Sequence, residues 1–279
     1  MKNDATRAKL SELEALLRSM GASSEIGVAL SGGVDSLTLA AVAHAVLGSR
    51  AAMFHARSPA VPFDATARVE AMAAARGWRL EVFDAGEFGR AEYVANPVDR
   101  CFYCKTSLYG AMRARTGAQL LSGTNLDDLG EYRPGLQAAG EHAVRHPYVE
   151  VGADKEMVRA MARLLGLGSV AELAAAPCLA SRIETGIGID AAMLSLVHAS
   201  ERLIGAAVAA RTVRCRVRAT GVVLEIDAAA LEAIEPQRRA ELADEVGGIF
   251  AGAGYPRPVS FAPYRNGSAF LIRRVERAP

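Results

Sequence analysis

Short apolar runs alternate with helix-like segments through the first half of the chain. The runs are EIGVAL, AAMFHA, RLEVFDA and AQLLSGT, and the segments between them include Ser36 to Leu47 and Asp64 to Arg76. Apolar runs of this length that take turns with helices are typical of βα units, in which helices cover both faces of a parallel sheet. The pattern therefore predicts an α/β domain built on a parallel sheet.

The pattern changes near Pro177. A long helix that opens at Asp190 leads to the strand candidates TVRCRVRA and VVLEID, then to a helix around Leu231 to Val246, and then to the strand candidates PVSFAPY and AFLIRRV. Neighbouring strands between two helices indicate a smaller C-terminal α+β domain with some antiparallel pairing. We therefore expect two domains, residues 1–183 and residues 184–279.

Composition and charge narrow the classes of function. The 279 residues carry 32 basic and 31 acidic side chains, so no overall field attracts nucleic acid or an anionic membrane. The start of the chain reads as an amphipathic helix rather than a signal peptide, and no long uncharged apolar span follows. We expect a cytoplasmic protein without nucleic-acid or membrane partners. Four cysteines are too few for a disulfide framework in this length, which favours metal binding or thiol chemistry.

The stretch LSGGVDS joins the first apolar run to the first helix of the sheet domain. A glycine-rich turn at this position places backbone N–H groups at the positive end of a helix dipole, where phosphate binds. Gly32 and Gly33 allow a close approach, Ser31 and Ser36 can donate to phosphate oxygens, and Asp35 could hold Mg²⁺. The lysine of a Walker loop is missing. The alternative is an ordinary tight turn with a serine N-cap.

The SGGVDS string resembles the pyrophosphate loop of the ATP pyrophosphatases, a group that includes GMP synthetase, NAD synthetase and tRNA-thiolating enzymes. The resemblance implies an adenine nucleotide alpha hydrolase-like (PP-loop) domain that binds ATP and Mg²⁺. It also implies adenylation, in which a substrate oxygen attacks the α-phosphate, pyrophosphate leaves, and a nucleophile then displaces AMP. The loop and nearby cations would stabilise the charge that develops on the leaving group. The nucleophile stays open at this point.

Three thiols are candidates for the second half of such a reaction. Cys101 and Cys104 form a CxxC in RCFYCK, and Cys178 lies in APCLASR. A CxxC can be a redox pair, half a zinc site, part of an iron–sulfur site once a third cysteine joins, or two incidental buried thiols. Basic neighbours favour the thiolate form that a ligand or nucleophile needs. These neighbours are Arg100, Lys105 and Arg182.

A closer resemblance covers most of the chain. The segments SGGVDS, RCFYCK, GTNLDDLGEYRPG, PCLASRI and RCR occur in the order seen in the LarE sulfur transferases, from Ser31 to Arg216. That family places sulfur on the pyridinium carboxylates of a mononucleotide, on the route to the nickel-pincer cofactor of lactate racemase. The resemblance implies adenylation of a substrate carboxylate followed by sulfur attack, which gives a thiocarboxylate. It implies catalytic roles for Cys178, Asp35 and Lys105.

Sulfur delivery within that family takes two forms. In the sacrificial form, a cysteine that matches Cys178 gives up its own sulfur and becomes dehydroalanine. In the other form, three cysteines hold a [4Fe–4S] cluster whose fourth iron binds an extra sulfide. Because the CxxC of Cys101 and Cys104 accompanies Cys178 here, we expect the cluster; sacrifice, zinc or an inert dithiol are the alternatives.

Further residues of the nucleotide site follow from position in the sheet. Gly123, Thr124 and Asn125 come directly after an apolar run, at the carboxyl edge where α/β proteins bind ligands. The acidic pair that follows could hold Mg²⁺ or orient the loop, or could be a helix N-terminal pair favoured by the dipole. Two more candidates are Asp128 of that pair and His55, which ends the second strand near the expected adenine. Lys155 resembles the lysine that other pyrophosphate-loop enzymes use near the phosphates; the alternative is a solvated lysine.

A substrate phosphate site is expected in the second domain. Arg214 and Arg216 are two positions apart in a predicted strand, so they share a face and could clamp a phosphate, and Arg218 extends this stripe. The alternative is a solvated strand face. Glu201 has a family counterpart near that site. Cys215 alternates with the arginines and should be a core residue.

The resemblance also suggests partners, and other classes of function stay open. We expect a small pyridinium mononucleotide as substrate, sulfide or a sulfur carrier as donor, and a homo-oligomer built partly through the second domain. An amide-forming ligase would leave the thiols unexplained, and a tRNA thiolase has little support from the near-neutral charge. A non-enzymatic nucleotide sensor with a structural zinc is the third alternative.

Overall fold

The computed structural model describes residues 2–130, 133–174 and 177–271. The chain forms two compact units, the first from Met1–Arg90 with Asp99–Ala176 and the second from Ala91–Val98 with Pro177–Pro279. The chain therefore passes into the second unit twice, and the short early passage has no counterpart in the sequence pattern. The second passage begins a few residues before the predicted boundary at residues 183 and 184.

A parallel sheet forms the centre of the first unit, as the alternation of runs predicts. Its strands are β1 (Ile26–Leu30), β2 (Ala51–Ala56), β3 (Arg79–Phe83) and β4 (Gln119–Leu121). Their order is β3-β2-β1-β4 and every pairing is parallel. Because β1 lies between β2 and β4, the loops that follow these three strands meet at one edge of the sheet.

Helices cover both faces of this sheet. In chain order they are α1 (Lys2–Ser23), α2 (Val34–Leu47), α3 (Phe63–Arg76), α5 (Arg100–Arg113), α6 (Pro134–Glu141), α7 (Pro147–Glu150) and α8 (Lys155–Leu164). The helix between α3 and α5 in the chain, α4 (Ala91–Val94), belongs to the second unit. One apolar cluster joins α1, α2 and α8 to the sheet through residues such as Leu17, Leu37 and Met161. A second cluster joins α5 and α6 through Tyr109 and Ala139. The α/β architecture inferred from the sequence is confirmed.

The second unit is a smaller mixed sheet with helices. Its helices are α9 (Ala191–Ala207), α10 (Ala228–Ala233) and α11 (Pro236–Gly252), and its strands are β5 (Val213–Arg218), β6 (Gly221–Ile226) and β7 (Val259–Pro263). β5 pairs with β6 antiparallel, and β6 pairs with β7 parallel. Asp190 opens α9 as predicted, since its carboxylate accepts a hydrogen bond from the Ala192 N–H. The α+β character of this unit is confirmed.

One helix of the second unit differs from its prediction. The single helix expected around residues 231–246 is two helices, because Pro236 starts α11 at a position where its missing N–H costs nothing. Asp227 caps α10 by accepting from the Ala230 N–H. Most of the strand candidate AFLIRRV lies outside the described residues. No helix in the described ranges has the length and apolar content needed to cross a membrane.

Candidate active site

The glycine loop lies between β1 and α2 and leaves the start of α2 open. Gly32 has a φ of +79°, and a Cβ atom there would lie 2.8 Å from the carbonyl oxygen of Ala65, so only glycine fits. Gly33 is the N-cap of α2, and no described side chain caps it. The N–H groups of the first turn are therefore available to bind an anion, which the helix dipole would favour.

The two serines of the loop have different surroundings. Ser36 is buried, and its hydroxyl accepts from the Ser31 N–H at 3.1 Å and donates to the Gly33 carbonyl at 3.2 Å. Ser31 is exposed, with its hydroxyl 3.1 Å from that of Ser36. Ser36 thus closes the turn, while Ser31 is the hydroxyl that a bound phosphate can reach without rearrangement.

Asp35 is the centre of a network that residues distant in sequence complete. Asn125 donates from Nδ2 to one carboxylate oxygen at 3.1 Å, and the ammonium of Lys155 pairs with the other. Tyr148 donates its hydroxyl to the Asp35 carbonyl at 3.1 Å, and burial raises the pKa of that hydroxyl well above its ordinary value. Lys155 is therefore an ion-pair partner at the loop rather than a solvated lysine.

Magnesium binding by Asp35 stays a prediction. The Lys155 ammonium already neutralises the Asp35 carboxylate. Among the described residues, no group of three or more His, Cys, Asp and Glu side chains is arranged to hold a metal ion. A carboxylate has more lone pairs than these two contacts use, so Asp35 keeps the chemistry of a Mg²⁺ ligand once phosphate oxygens supply the others.

The loop after β4 packs directly against the first turn of α2. A Cβ atom on Gly123 would lie 2.9 Å from the carbonyl carbon of Asp35 and from the Ser36 nitrogen, so glycine permits this approach. Thr124 is held by Ser122 at 3.0 Å between hydroxyl oxygens. The predicted Gly123, Thr124 and Asn125 thus share one sheet edge with the glycine loop.

The acidic pair orients this loop. Asp128 accepts from the Asn125 N–H at 3.0 Å and pairs with Arg133 at 2.8 Å. Asp127 accepts from the backbone N–H of Lys155 at 3.2 Å, at the start of α8. The two carboxylates therefore tie the Asn125 turn to α8 and to the start of α6.

His55 joins the end of β1, next to the glycine loop, to helix α3. Its ring is fully buried, with Nδ1 3.0 Å from the Leu30 carbonyl and Nε2 2.9 Å from the Thr66 hydroxyl. Burial lowers the pKa of this imidazole, so it is neutral, and the Leu30 carbonyl requires the proton on Nδ1. Both nitrogens are therefore engaged within the protein, and a direct hydrogen bond to adenine stays a prediction.

The CxxC lies on α5 in the first unit. Cys101 and Cys104 are half-buried and three residues apart, so they share one face of the helix. Gly135 of the RPG segment lets α6 approach, since a Cβ there would lie 3.0 Å from Cγ of Lys105. The Lys105 ammonium lies 5.8 Å from the centre of the Tyr109 ring. The GTNLDD–RPG segment thus packs against Asp35 at one end and against the CxxC helix at the other.

Cys178 belongs to the second unit, where it precedes a short 3₁₀ turn, Leu179–Arg182. It is half-buried, and its carbonyl accepts from the Arg182 guanidinium at 3.3 Å. Arg182 is buried and forms a bidentate pair with Glu201 at 2.9 and 3.1 Å. Glu201 also accepts from the Cys215 N–H at 3.0 Å, which joins α9 to β5.

Arg216 of β5 is buried and Arg214 and Arg218 are half-buried, so these arginines do not form a fully solvated face. Arg216 is buried and pairs with Glu225 at 3.1 Å, and Arg218 reaches the other oxygen of Glu225 at 2.7 Å. Burial alone would raise the pKa of Glu225, but the hydrogen bond from Ser268 and the two arginines hold it below its ordinary value. Burial and the charge of Arg182 lower the pKa of Arg214.

This part of the second unit carries an excess of positive charge. Arg182, Arg214, Arg216 and Arg218 contribute four cationic groups, against the carboxylates of Glu201 and Glu225. The mutual repulsion seen at Arg214 would be relieved by an anion. Cys215 is fully buried, and burial raises the pKa of its thiol, which confirms its assignment as a core residue.

Several residues at the glycine loop were missed by the sequence analysis. Tyr148 contacts the Asp35 carbonyl, and Arg68 donates to the Gly32 carbonyl at 2.8 Å. His146 lies 2.7 Å from the Ser122 hydroxyl. No local pattern marks them, because Arg68 comes from α3, and Tyr148 and His146 come from α7 and its N-cap, elements whose place depends on the sheet.

Two comparisons with known proteins show what the chain is similar to. A family model described as asparagine synthase matches residues 11–104, which include the glycine loop and the CxxC. An uncharacterized protein of Synechocystis, slr1717, is 36% identical over 195 residues, which is 68% of this chain and 72% of that protein. Residues 11–104 thus match a domain model of the PP-loop superfamily, and the chain belongs to the family of this Synechocystis protein.

Proposed function

We propose that the protein is an ATP-dependent sulfur transferase that converts the carboxylate of a pyridinium mononucleotide to a thiocarboxylate, as a step in nickel-pincer cofactor biosynthesis. The family supports ATP-dependent adenylation. The observation that supports sulfur transfer is the set of charged residues around Cys178 in the second unit. Its backbone is held by buried Arg182, and the same unit gathers four arginines around two carboxylates. A thiol beside an excess of positive charge suits an anionic acyl substrate.

Adenylation uses the glycine loop. A carboxylate oxygen of the substrate attacks the α-phosphorus, the bond to the pyrophosphate oxygen breaks, and pyrophosphate leaves. The open N–H groups of α2 and the Ser31 hydroxyl bind the leaving group, and the Lys155 ammonium offers positive charge at the same loop. Asp35 holds that ammonium in place until phosphate oxygens compete for it.

The sulfur step replaces AMP at the activated carbonyl. A sulfur nucleophile attacks the acyl carbon, and the bond to the AMP oxygen breaks. If Cys178 is the nucleophile, a thioester forms; loss of its Cα proton and cleavage of its Cβ–S bond then release the thiocarboxylate and leave dehydroalanine. That form of the reaction occurs once per chain.

A second form of the reaction would allow repeated turnover. Cys101 and Cys104 share one helix face, and with Cys178 they would supply the three thiolates that a site-differentiated [4Fe–4S] cluster needs, although the described residues do not gather three such ligands into one group. Such a cluster would supply exchangeable sulfide, delivered as free sulfide or by a sulfur carrier. We favour this form, in which Lys105 and Arg182 balance the thiolate charge. We also propose that the protein acts as a homo-oligomer, with the second unit contributing to assembly.

The proposal is tested on protein purified without oxygen and reconstituted with iron and sulfide. Iron content, absorption and product mass are compared for wild type, Cys101→Ala, Cys104→Ala and Cys178→Ala. Cys215→Ala is the matched control, because its thiol is buried in the core. We expect about four iron per chain in the wild type and the control, loss in the other variants, and a product in which one oxygen is replaced by sulfur.

Other outcomes refute specific parts of the proposal. If iron-free protein thiolates the substrate once and leaves dehydroalanine at Cys178, the cluster is refuted and Cys178 is a sacrificial sulfur donor. Ammonia-dependent amide formation without sulfide would identify a ligase. Tight zinc and ATP binding without pyrophosphate release from any acyl substrate would refute an enzyme of either kind.

A further inference from the structure

Helix α3 holds the first half of the glycine loop through two contacts at one residue. The Cα of Gly32 lies so close to α3 that a Cβ would be 2.8 Å from the Ala65 carbonyl oxygen. Arg68, three residues along the same helix, donates from Nη1 to the Gly32 carbonyl oxygen at 2.8 Å. The side chain of Arg68 is half-buried, so this bond between a charged donor and a backbone acceptor is partly shielded from water.

The Arg68 bond sets the direction of one peptide group. A trans peptide is planar, so its C=O and N–H point in opposite directions, and none of the described peptides is cis. With the Gly32 carbonyl turned toward Arg68 on α3, the N–H of the same peptide, which belongs to Gly33, points away from α3. It donates to the Ser31 hydroxyl at 3.4 Å, which is long enough that a phosphate oxygen can replace it.

This peptide is also the one in the loop that is most able to turn over. Glycine populates both signs of φ, and both Gly32 and Gly33 flank the peptide. Steric restriction therefore does little to hold its direction, and a hydrogen bond must do so. In the part of the chain that the structure describes, Arg68 makes its hydrogen bond to this carbonyl and to no other group.

We propose that Arg68 is a positioning residue of the pyrophosphate site. It holds the Gly32–Gly33 peptide so that the Gly33 N–H faces a phosphate oxygen, and its positive charge polarises that peptide as a donor. The inference rests on the adenylation half of the proposed function. The ligand whose binding Arg68 affects is the departing pyrophosphate, so the inference does not depend on the sulfur step.

The test measures binding of inorganic pyrophosphate with Mg²⁺ to the full chain by calorimetry. Arg68→Met keeps the length of the stem and removes the donor, whereas Arg68→Lys keeps a charged donor. Arg76→Met is the matched control, because Arg76 lies on the same helix and donates to the carbonyls of Leu165 and Gly166 instead. The amide resonance of Gly33 is followed during each titration. If Arg68 only contributed to packing, its substitution would not change the shift of this resonance on binding.

We expect Arg68→Met to weaken pyrophosphate binding about tenfold, which corresponds to about 1.4 kcal/mol and is close to the lower end of what a hydrogen bond from a charged group contributes. Arg68→Lys should recover part of the affinity, and Arg76→Met should bind as the wild type does. The Gly33 amide should shift on binding in the wild type and lose most of that shift in Arg68→Met.

The outcomes separate the two proposals. Wild-type protein that binds no pyrophosphate would overturn the adenylation proposal and this inference together. Wild-type binding with equal affinity in Arg68→Met, or a weakened Arg68→Met whose Gly33 amide shifts as in the wild type, would overturn the role of Arg68 alone.

Discussion

A methyl group at Gly123 should disconnect the β4 loop from the glycine loop. Its Cβ would lie 2.9 Å from the Asp35 carbonyl carbon and the Ser36 nitrogen, where carbon contacts are comfortable at about 3.5 Å. Because both neighbours are backbone atoms of α2, no side chain can rotate away, and the loop must shift by roughly half an ångström. Overpacking of this kind costs about 1–3 kcal/mol of unfolding free energy.

The same shift weakens the Asn125 contact. Its amide lies 3.1 Å from the Asp35 carboxylate, and the displacement lengthens that distance to about 3.6 Å, beyond a hydrogen bond. A hydrogen bond to a charged group contributes about 1.5–3 kcal/mol, so we expect Gly123→Ala to bind ATP about tenfold more weakly or worse.

Unfolding and binding are measured separately for this variant. The single tryptophan, Trp78, is buried in the first unit, so its fluorescence in denaturant reports the stability of that unit, and calorimetry gives the ATP affinity. Gly140→Ala is the control, because nothing lies within 4 Å of a Cβ there, on helix α6, where alanine stabilises by up to about 1 kcal/mol. A Gly123→Ala protein that matched Gly140→Ala in both measurements would refute the close approach of the two loops.

Three further predictions concern stability. Tyr148→Phe removes the hydrogen bond to the first turn of α2 and should lower the unfolding free energy of the first unit by about 1 kcal/mol. An unchanged midpoint of the denaturant transition, followed by tryptophan fluorescence, would contradict this. Burial lowers the pKa of His55 and His146 below 6.5, so the unfolded chain takes up protons first and stability should fall as the pH drops below 6.5. The measurement is denaturant unfolding followed by fluorescence, and an unfolding free energy that stays constant from about pH 7 to about pH 5 would contradict the prediction. Arg182→Met leaves the largely buried Glu201 carboxylate without its charged partner and should lower the unfolding free energy by about 3 kcal/mol, measured by circular dichroism in denaturant. Arg238→Met, which removes a surface ion pair, should have a much smaller effect, and equal effects of the two variants would argue against the buried pair.

The elements of both units could be predicted because their signals are local. Alternating apolar runs and helical spacing correctly indicated the parallel sheet, and Asp190 marked the start of α9. Pro236 divided the last predicted helix, a signal that was present in the sequence but outweighed by apolar spacing on both sides. The early passage of residues 91–98 into the second unit carried no local signal.

Within the candidate site, the residue types were readable and their partners were not. Spacing after a predicted strand identified the glycines, the serines and Asp35 of the loop as candidates. The sequence left three roles open for the acidic pair, and the contacts of Asp128 with the Asn125 N–H and with Arg133 show that it orients the loop. The arginines of β5 alternate along the strand as predicted, and their role as a phosphate clamp stays a prediction; the pairing of Arg216 with the buried Glu225 could not be predicted from the sequence.

The sequence by itself determined which segments are helices and strands, where a phosphate-binding turn can form, and how many thiols are available. These properties depend on neighbours within a few residues, through side-chain period, glycine at positive φ and helix capping. The tertiary structure decided which groups meet: Lys155 reaches Asp35 across 120 residues, and Arg68 reaches Gly32 across 36. Such meetings depend on strand order and register, which bring the carboxyl ends of β1, β2 and β4 to one edge, and no local pattern specifies the side chain that arrives there from another element.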